Sequence, residues 1–140
     1  MDRRVFLRAL PVLSAVSAGA LSSTACAGLT YLAPVGTAGR LTVRAADVPH
    51  DGALLQRPDM AHPIWVRPDA AGVPTALLLR CTHRGCQPDP VGDRLVCPCH
   101  GSEFDTSGAV LSGPAETALT RYPVEIEGDR WTVVATGLDR

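Results

Sequence analysis

An all-β fold follows from three features of this sequence. Twelve prolines and 13 glycines in 140 residues leave no room for long uninterrupted helices, while short strands joined by turns tolerate both. Beyond the N-terminal segment, no window carries the apolar period of a helix. Several short runs instead alternate polar and apolar residues between turn-forming clusters. A hydrophobic share of 46% against 19% charged residues excludes a disordered chain.

Residues 1–27 read as an address ahead of the fold. A positive start (Arg3, Arg4, Arg8) precedes an uncharged, mostly apolar run, Ala9–Leu21, and a small-residue end, which are the three parts of an export signal. The run is short of the roughly 20 residues a membrane span needs. Arg3-Arg4-Val5-Phe6-Leu7 resembles a twin-arginine motif, with Asp2 where Ser or Thr is usual; that route carries folded, cofactor-loaded proteins. Thr24-Ala25-Cys26 is compatible with lipidation of Cys26, cleavage, or retention as an anchor, although Ser23 stands where lipid signals prefer an aliphatic residue. Residues 28–39 are small and turn-prone and read as a linker, with a short strand at its start.

The domain itself is read over residues 40–140. Arg40–Arg44 alternates as a half-buried strand does. Ile64–Arg67 and Thr75–Arg80 are strands on either side of the turn-rich Pro68–Pro74. Arg94–Cys97 follows a hairpin turn at Val91-Gly92-Asp93. Tyr122–Glu127 and Arg130–Val134 flank Gly128-Asp129 as a terminal hairpin, and Tyr122, Val124, Ile126, Trp131 and Val133 are expected in the core. About 110 residues make one small domain, a size that often needs a metal or cross-link to be secure. Without residues 1–27 the chain has 10 basic residues against 13 acidic, a net of −3, and no basic patch, which argues against nucleic-acid binding.

Four of the five cysteines and two of the four histidines fall within Cys81–His100. One box is Cys81-Thr82-His83-Arg84-Gly85-Cys86 and the other Cys97-Pro98-Cys99-His100-Gly101-Ser102. Two chemistries use such residues. Zinc takes four thiolate or imidazole ligands tetrahedrally. A [2Fe–2S] cluster with two Cys on one iron and two His on the other suits boxes that each hold a Cys–His pair. His50 and His62 lie outside the boxes and are given no metal role.

Both boxes resemble those of Rieske iron–sulfur proteins, in the disulfide-containing subclass of quinol–cytochrome c oxidoreductases. The resemblance spans roughly Arg40–Val134 and is strongest over residues 81–115. It implies an antiparallel β-sandwich with a small cluster-binding subdomain built from the two loops. It implies Cys81 and Cys97 on the inner iron, His83 and His100 on the outer, reducible iron, and a Cys86–Cys99 disulfide. Gly113-Pro114-Ala115 is similar to the family's third cluster-covering loop. Neutral imidazoles in place of thiolates raise the potential, to roughly −150 to +300 mV in the range established for such centres. Hydrogen bonds to sulfur, including one from the Ser102 hydroxyl, raise it again. High-potential members carry a Tyr two residues after this Ser; Phe104 stands there and lacks the hydroxyl.

The resemblance implies electron transfer, as the iron–sulfur subunit of a quinol–cytochrome c reductase type chain with cytochrome b or c partners and a quinol donor. The alternative is a free-standing periplasmic or membrane-tethered ferredoxin, or the small subunit of a dedicated oxidoreductase such as arsenite oxidase with its own catalytic subunit. Phe104 and the short inter-box segment, residues 87–96, favour that alternative. The location implied is the periplasm or the outer face of the cytoplasmic membrane. A zinc- and disulfide-stapled structural domain is the third reading. An oxygenase terminal component is excluded, because no second domain remains for a mononuclear iron.

Overall fold

Strands dominate because the chain is built of short β-branched and aliphatic runs punctuated by turn residues. The computed structural model describes residues 28–37 and 39–137. In chain order the strands are β1 (Tyr31–Leu32), β2 (Val35–Thr37), β3 (Arg40–Arg44), β4 (Ala53–Leu55), β5 (Ile64–Pro68), β6 (Pro74–Leu78), β7 (Asp89–Val91), β8 (Arg94–Val96), β9 (Glu103–Asp105), β10 (Val110–Ser112), β11 (Arg121–Tyr122), β12 (Val124–Glu127) and β13 (Arg130–Val134). One 3-10 turn, Ala45–Asp47, follows β3.

Three sheets result. The central sheet has the order β1-β4-β5-β6-β11, an outer sheet β12-β13-β3-β2, and a small sheet β10-β9-β8-β7. Only the β1–β4 pair is parallel. The central sheet is buried on both faces. Leu55, Ile64, Val66 and Ala76 pack with Leu41, Val43, Trp131 and Val133 of the outer sheet. On the opposite face Leu54, Trp65 and Leu77 pack with Leu95 and Phe104 of the small sheet. Each fully buried aliphatic or aromatic side chain of this kind contributes about 1.5–3 kcal/mol. The first core makes the sandwich; the second seats the small sheet, and the Cys-bearing loops with it.

Turn chemistry sets the hairpins. The Asp69 carboxylate accepts the amides of Ala71 and Val73, each at 2.8 Å, closing the β5–β6 turn. Gly92-Asp93 joins β7 to β8, and Gly128-Asp129 joins β12 to β13 with Glu127 opposite Arg130.

Three departures from the sequence reading have physical causes. The segment read as a linker with one short strand carries two. Its carbonyl groups are fastened at the edges of two sheets: Leu54 N donates to Thr30 O at 2.8 Å, and Arg57 Nη1 to Gly36 O at 2.6 Å. The expected strand Tyr122–Glu127 is broken at Pro123, which has no N–H to give a ladder. Tyr122 pairs with Ala76 in the central sheet, whereas Val124 pairs with Val133 in the outer one. Ile126, expected in the core, is 53% exposed. It lies opposite the buried Trp131, but on an edge strand close to its turn, with a neighbour on one side only.

Candidate metal centre

The two boxes fold into loops of the same backbone design. Cys81 N donates to Cys86 O at 2.7 Å, and Gly85 N returns to Cys81 O at 2.8 Å. Sixteen residues on, Cys97 N donates to Ser102 O at 2.8 Å, and Gly101 N to Cys97 O at 2.9 Å. Gly85 and Gly101 each have φ of +80°, a conformation that side chains with a Cβ strongly disfavour. Each loop thus turns tightly about its first cysteine and sends that residue inward.

Cys81 and Cys97 are free and buried, 3% and 1% exposed, and both belong to the second core. Their thiols interact. Burial pushes the Cys97 thiol up, and the neighbouring Cys81 adds to this, while the backbone amides of Cys99 and His100 pull the other way. His83 is half-buried and His100 exposed; their rings meet edge to face, with centroids 4.8 Å apart. His83 Nδ1 is buried and has no hydrogen-bond partner.

A buried nitrogen without a partner calls for an explanation. A metal ion supplies one: two thiols aimed inward from matching loops, beside two touching imidazoles, form a soft donor set of the right count for a cluster with Cys on one iron and His on the other. The donor set therefore fits the group. Cys86 and Cys99 are joined in a disulfide with Cα atoms 6.4 Å apart, linking the two loops. The sulfurs of Cys86, Cys97 and Cys99 lie within 4.8 Å of one another, but the disulfide consumes two of the three and leaves only Cys97 able to bind metal.

A third loop is tied to the second box. The peptide between Gly113 and Pro114 is cis, both residues are exposed, and Ala115 turns inward to 3% exposure. Ala115 N donates to the Ser102 hydroxyl at 3.0 Å. Ser102 is the fully buried polar residue among those described. Phe104 is fully buried, opposite Leu95, in the same core as both free cysteines. Cys26 lies outside the described residues.

Sequence reasoning missed Thr82. Its hydroxyl donates to Thr117 O at 2.6 Å and ties the first loop to the segment after the third. The acceptor is a carbonyl 35 residues away, which leaves no trace in residue types.

Comparison with known proteins agrees with this geometry. Residues 40–123 match the family model of the Rieske [2Fe-2S] domain. The "Cytochrome b6-f complex iron-sulfur subunit" of Chlorobaculum tepidum is 31% identical over 139 residues, covering 94% of this chain and 75% of that protein. The protein of the same description in Prochlorococcus marinus (strain AS9601) is 47% identical over 51 residues, covering 35% of this chain. The chain spans only 29% of the length of that relative. Among solved structures, the cyanobacterial plasma membrane Rieske protein PetC3 from Synechocystis PCC 6803 superposes with a TM-score of 0.52 at 35% identity, covering 59% of this chain and 85% of that one.

Proposed function

The chain belongs to the Rieske [2Fe–2S] family, and from that premise we propose that it carries single electrons in a quinol–cytochrome c reductase type chain, with Cys81 and Cys97 holding the inner iron and His83 and His100 the outer. The observation that carries the reading is the pairing of two buried free thiols with two touching imidazoles, one of which keeps a buried nitrogen without a partner. When bound, the cluster supplies one reversible electron at a potential raised by the neutral imidazoles.

The chain's own residues do the rest. Cys81 and Cys97 bind from the side of the second core, where Leu95, Phe104 and Leu79 exclude water. The amides of Cys99 and His100 are placed to stabilise negative charge on the Cys97 sulfur. The disulfide and the Ser102–Ala115 bond hold the three loops in register. Because Nδ1 is the buried nitrogen of His83, Nε2 is the one left to exchange a proton with the outside. With one ring nitrogen holding the outer iron, the exposed His100 ring would present its other nitrogen to accept the proton of a quinol hydroxyl, on the face where the quinol's electron would enter. The relatives named as cytochrome b6-f subunits support cytochrome partners.

Residues 1–27, as a twin-arginine-like signal or anchor, direct residues 40–140 to the periplasm, free after cleavage, or to the outer membrane face, tethered by the retained segment or by a lipid on Cys26. Among the described residues no helix is long and apolar enough to cross a membrane. A second reading, a ferredoxin relay dedicated to one oxidoreductase, is favoured by Phe104 and by the tight β7–β8 hairpin that fills the space between the boxes.

Electron paramagnetic resonance of the reduced, iron-loaded protein, with a redox titration across pH, tests the proposal. A Rieske signal with a positive potential that falls at alkaline pH supports the quinol-linked chain; a potential near or below zero supports the dedicated relay. His83→Ala and His100→Ala should each abolish the signal. An iron-loaded protein without a signal overturns both readings.

A further inference from the structure

Cys97 has a second sulfur neighbourhood besides Cys81. Its sulfur and the two sulfurs of the Cys86–Cys99 disulfide all lie within 4.8 Å of one another. Cys81, the other buried free thiol, is not part of this group. Cys97 is 1% exposed, so the disulfide beside it is the electrophile its thiol meets before any soluble oxidant. Bonded sulfurs stand about 2 Å apart, which leaves the Cys97 sulfur a gap of at most about 3 Å to close. The two ends of the disulfide differ. Only Pro98 separates Cys97 from Cys99, and a bridge between those two would close a small ring within one loop. Cys86 belongs to the first loop, and a bridge from it to Cys97 still joins the two loops, as the present disulfide does. Cys99 is exposed whereas Cys86 is half-buried, so Cys99 is the end that solvent receives as a leaving thiolate.

We infer that Cys86, Cys97 and Cys99 form an internal thiol–disulfide exchange site, active whenever iron does not hold Cys97. The Cys97 thiolate attacks the Cys86 sulfur. The Cys86–Cys97 bond forms as the Cys86–Cys99 bond breaks, and the electron pair leaves on the Cys99 sulfur, which takes up a proton in place of the one Cys97 gave up. One disulfide stands on either side of the step, so no outside oxidant or reductant is consumed. A Cys97 thiolate bound to iron cannot attack, so loading and exchange exclude each other. The exchanged chain lacks one of its four proposed ligands and presents a new exposed thiol at Cys99. It regains Cys97 through the reverse step or through a dithiol reductant. The exchange stands on the sulfur positions; its consequence for loading rests on the reading of Cys97 as a cluster ligand.

The test uses the full-length protein, isolated with its cluster and without thiol reductant. One sample goes straight into acidic denaturant. Another is stripped of iron by a chelator in the absence of air, held at neutral pH and then acidified. Free thiols are labelled, and mass spectrometry maps labels and disulfides; fragmentation at the Cys97–Pro98 bond separates the two cysteines of the second box. The first sample should show the Cys86–Cys99 disulfide alone. In the second, label should leave Cys97 and appear on Cys99 one for one, with every other label and the total thiol count unchanged. Reloading with iron and sulfide should fall in the same proportion and return after brief dithiol treatment. Cys81→Ser and Cys97→Ser each remove a proposed ligand, but only Cys97→Ser should keep label off Cys99. Label on Cys99 in Cys97→Ser as well, or a Cys86–Cys99 disulfide that persists unchanged in the stripped wild type, overturns the inference. A protein that never takes up a cluster sinks the electron-carrier reading instead, while the thiol map of that metal-free chain still decides the exchange.

Discussion

The amide of Ala115 donates to the hydroxyl of Ser102 at 3.0 Å, and both residues are buried. One hydrogen bond therefore joins the end of the second box to the third loop, 13 residues away in sequence. The hydroxyl acts as acceptor here, which leaves its own hydrogen for a sulfur. Ser102→Ala removes both interactions. An unsatisfied buried amide costs about 1–3 kcal/mol, so chemical denaturation should show a loss of that size. The reduction potential should fall as well, because a donor to sulfur favours the reduced, more negative cluster. A variant with wild-type stability and potential would show that the bond does neither job.

The Cys86–Cys99 disulfide spans 13 residues and links two loops that are otherwise held by backbone bonds within each loop and by the Thr82–Thr117 and Ser102–Ala115 hydrogen bonds. A loop of that order constrains the unfolded chain by about 3 kcal/mol. Replacing both cysteines by Ser should lower unfolding stability by that amount and speed loss of the cluster on mild heating, followed by the decay of its visible absorption. A loss under about 1 kcal/mol would place the restraint in the cores rather than in the cross-link.

Asp105 carries a pH-dependent share of stability. The Ser107 hydroxyl, then the amides of Ser107, Ala109 and Gly108, hold its carboxyl below the usual carboxylate value, against a smaller opposing effect of burial. A depressed pKa means the folded state favours the ionised form, so this contribution is complete above the unfolded value of about 3.9. It is lost as pH falls through the lower folded value. Asp105→Asn should cost about 1 kcal/mol at neutral pH, small because the group is only partly buried. Urea denaturation from pH 6 to pH 2 should show a flatter acid limb for the variant than for the wild type. Parallel acid limbs would assign the acid sensitivity to other carboxylates.

How much of this was legible in the sequence follows from where each signal resides. The donor set is local: six soft-ligand residues in two boxes announce themselves by type and spacing, and the glycines that shape the loops sit inside the boxes. The outer sheet alternates as a one-sided sheet should, with Leu41 and Val43 in and their neighbours out. The central sheet does not, because Ile64 and Val66 face one core and Trp65 the other. Ala53–Leu55 is buried throughout for the same reason, and its three apolar residues carry no period to read. β9 and β10 hide differently: three residues each, with a register shift between Val110 and Ser112, they are too short and too irregular to alternate. The bonds Ser102–Ala115 and Thr82–Thr117 each use a backbone group, which every residue owns and no residue type betrays.

Phe104 offers the sharpest test of how this chain sets its potential. The ring is fully buried, faces Leu95 across β8–β9, and shares a core with Cys81 and Cys97. High-potential members of the family carry a Tyr here whose hydroxyl bonds to the sulfur of a cysteine ligand. Phe104→Tyr keeps the ring and adds the donor. If the hydroxyl reaches a ligand sulfur it stabilises negative charge there, and the potential rises; it also finds the partner that a buried hydroxyl requires, so stability changes little. A redox titration of wild type and variant side by side reads the first effect, and denaturation the second. A raised potential at unchanged stability identifies the missing hydroxyl as a cause of a low potential. An unchanged potential with a loss of about 1–3 kcal/mol would mean that the hydroxyl is buried without a partner, and that the Phe at this position is retained for packing.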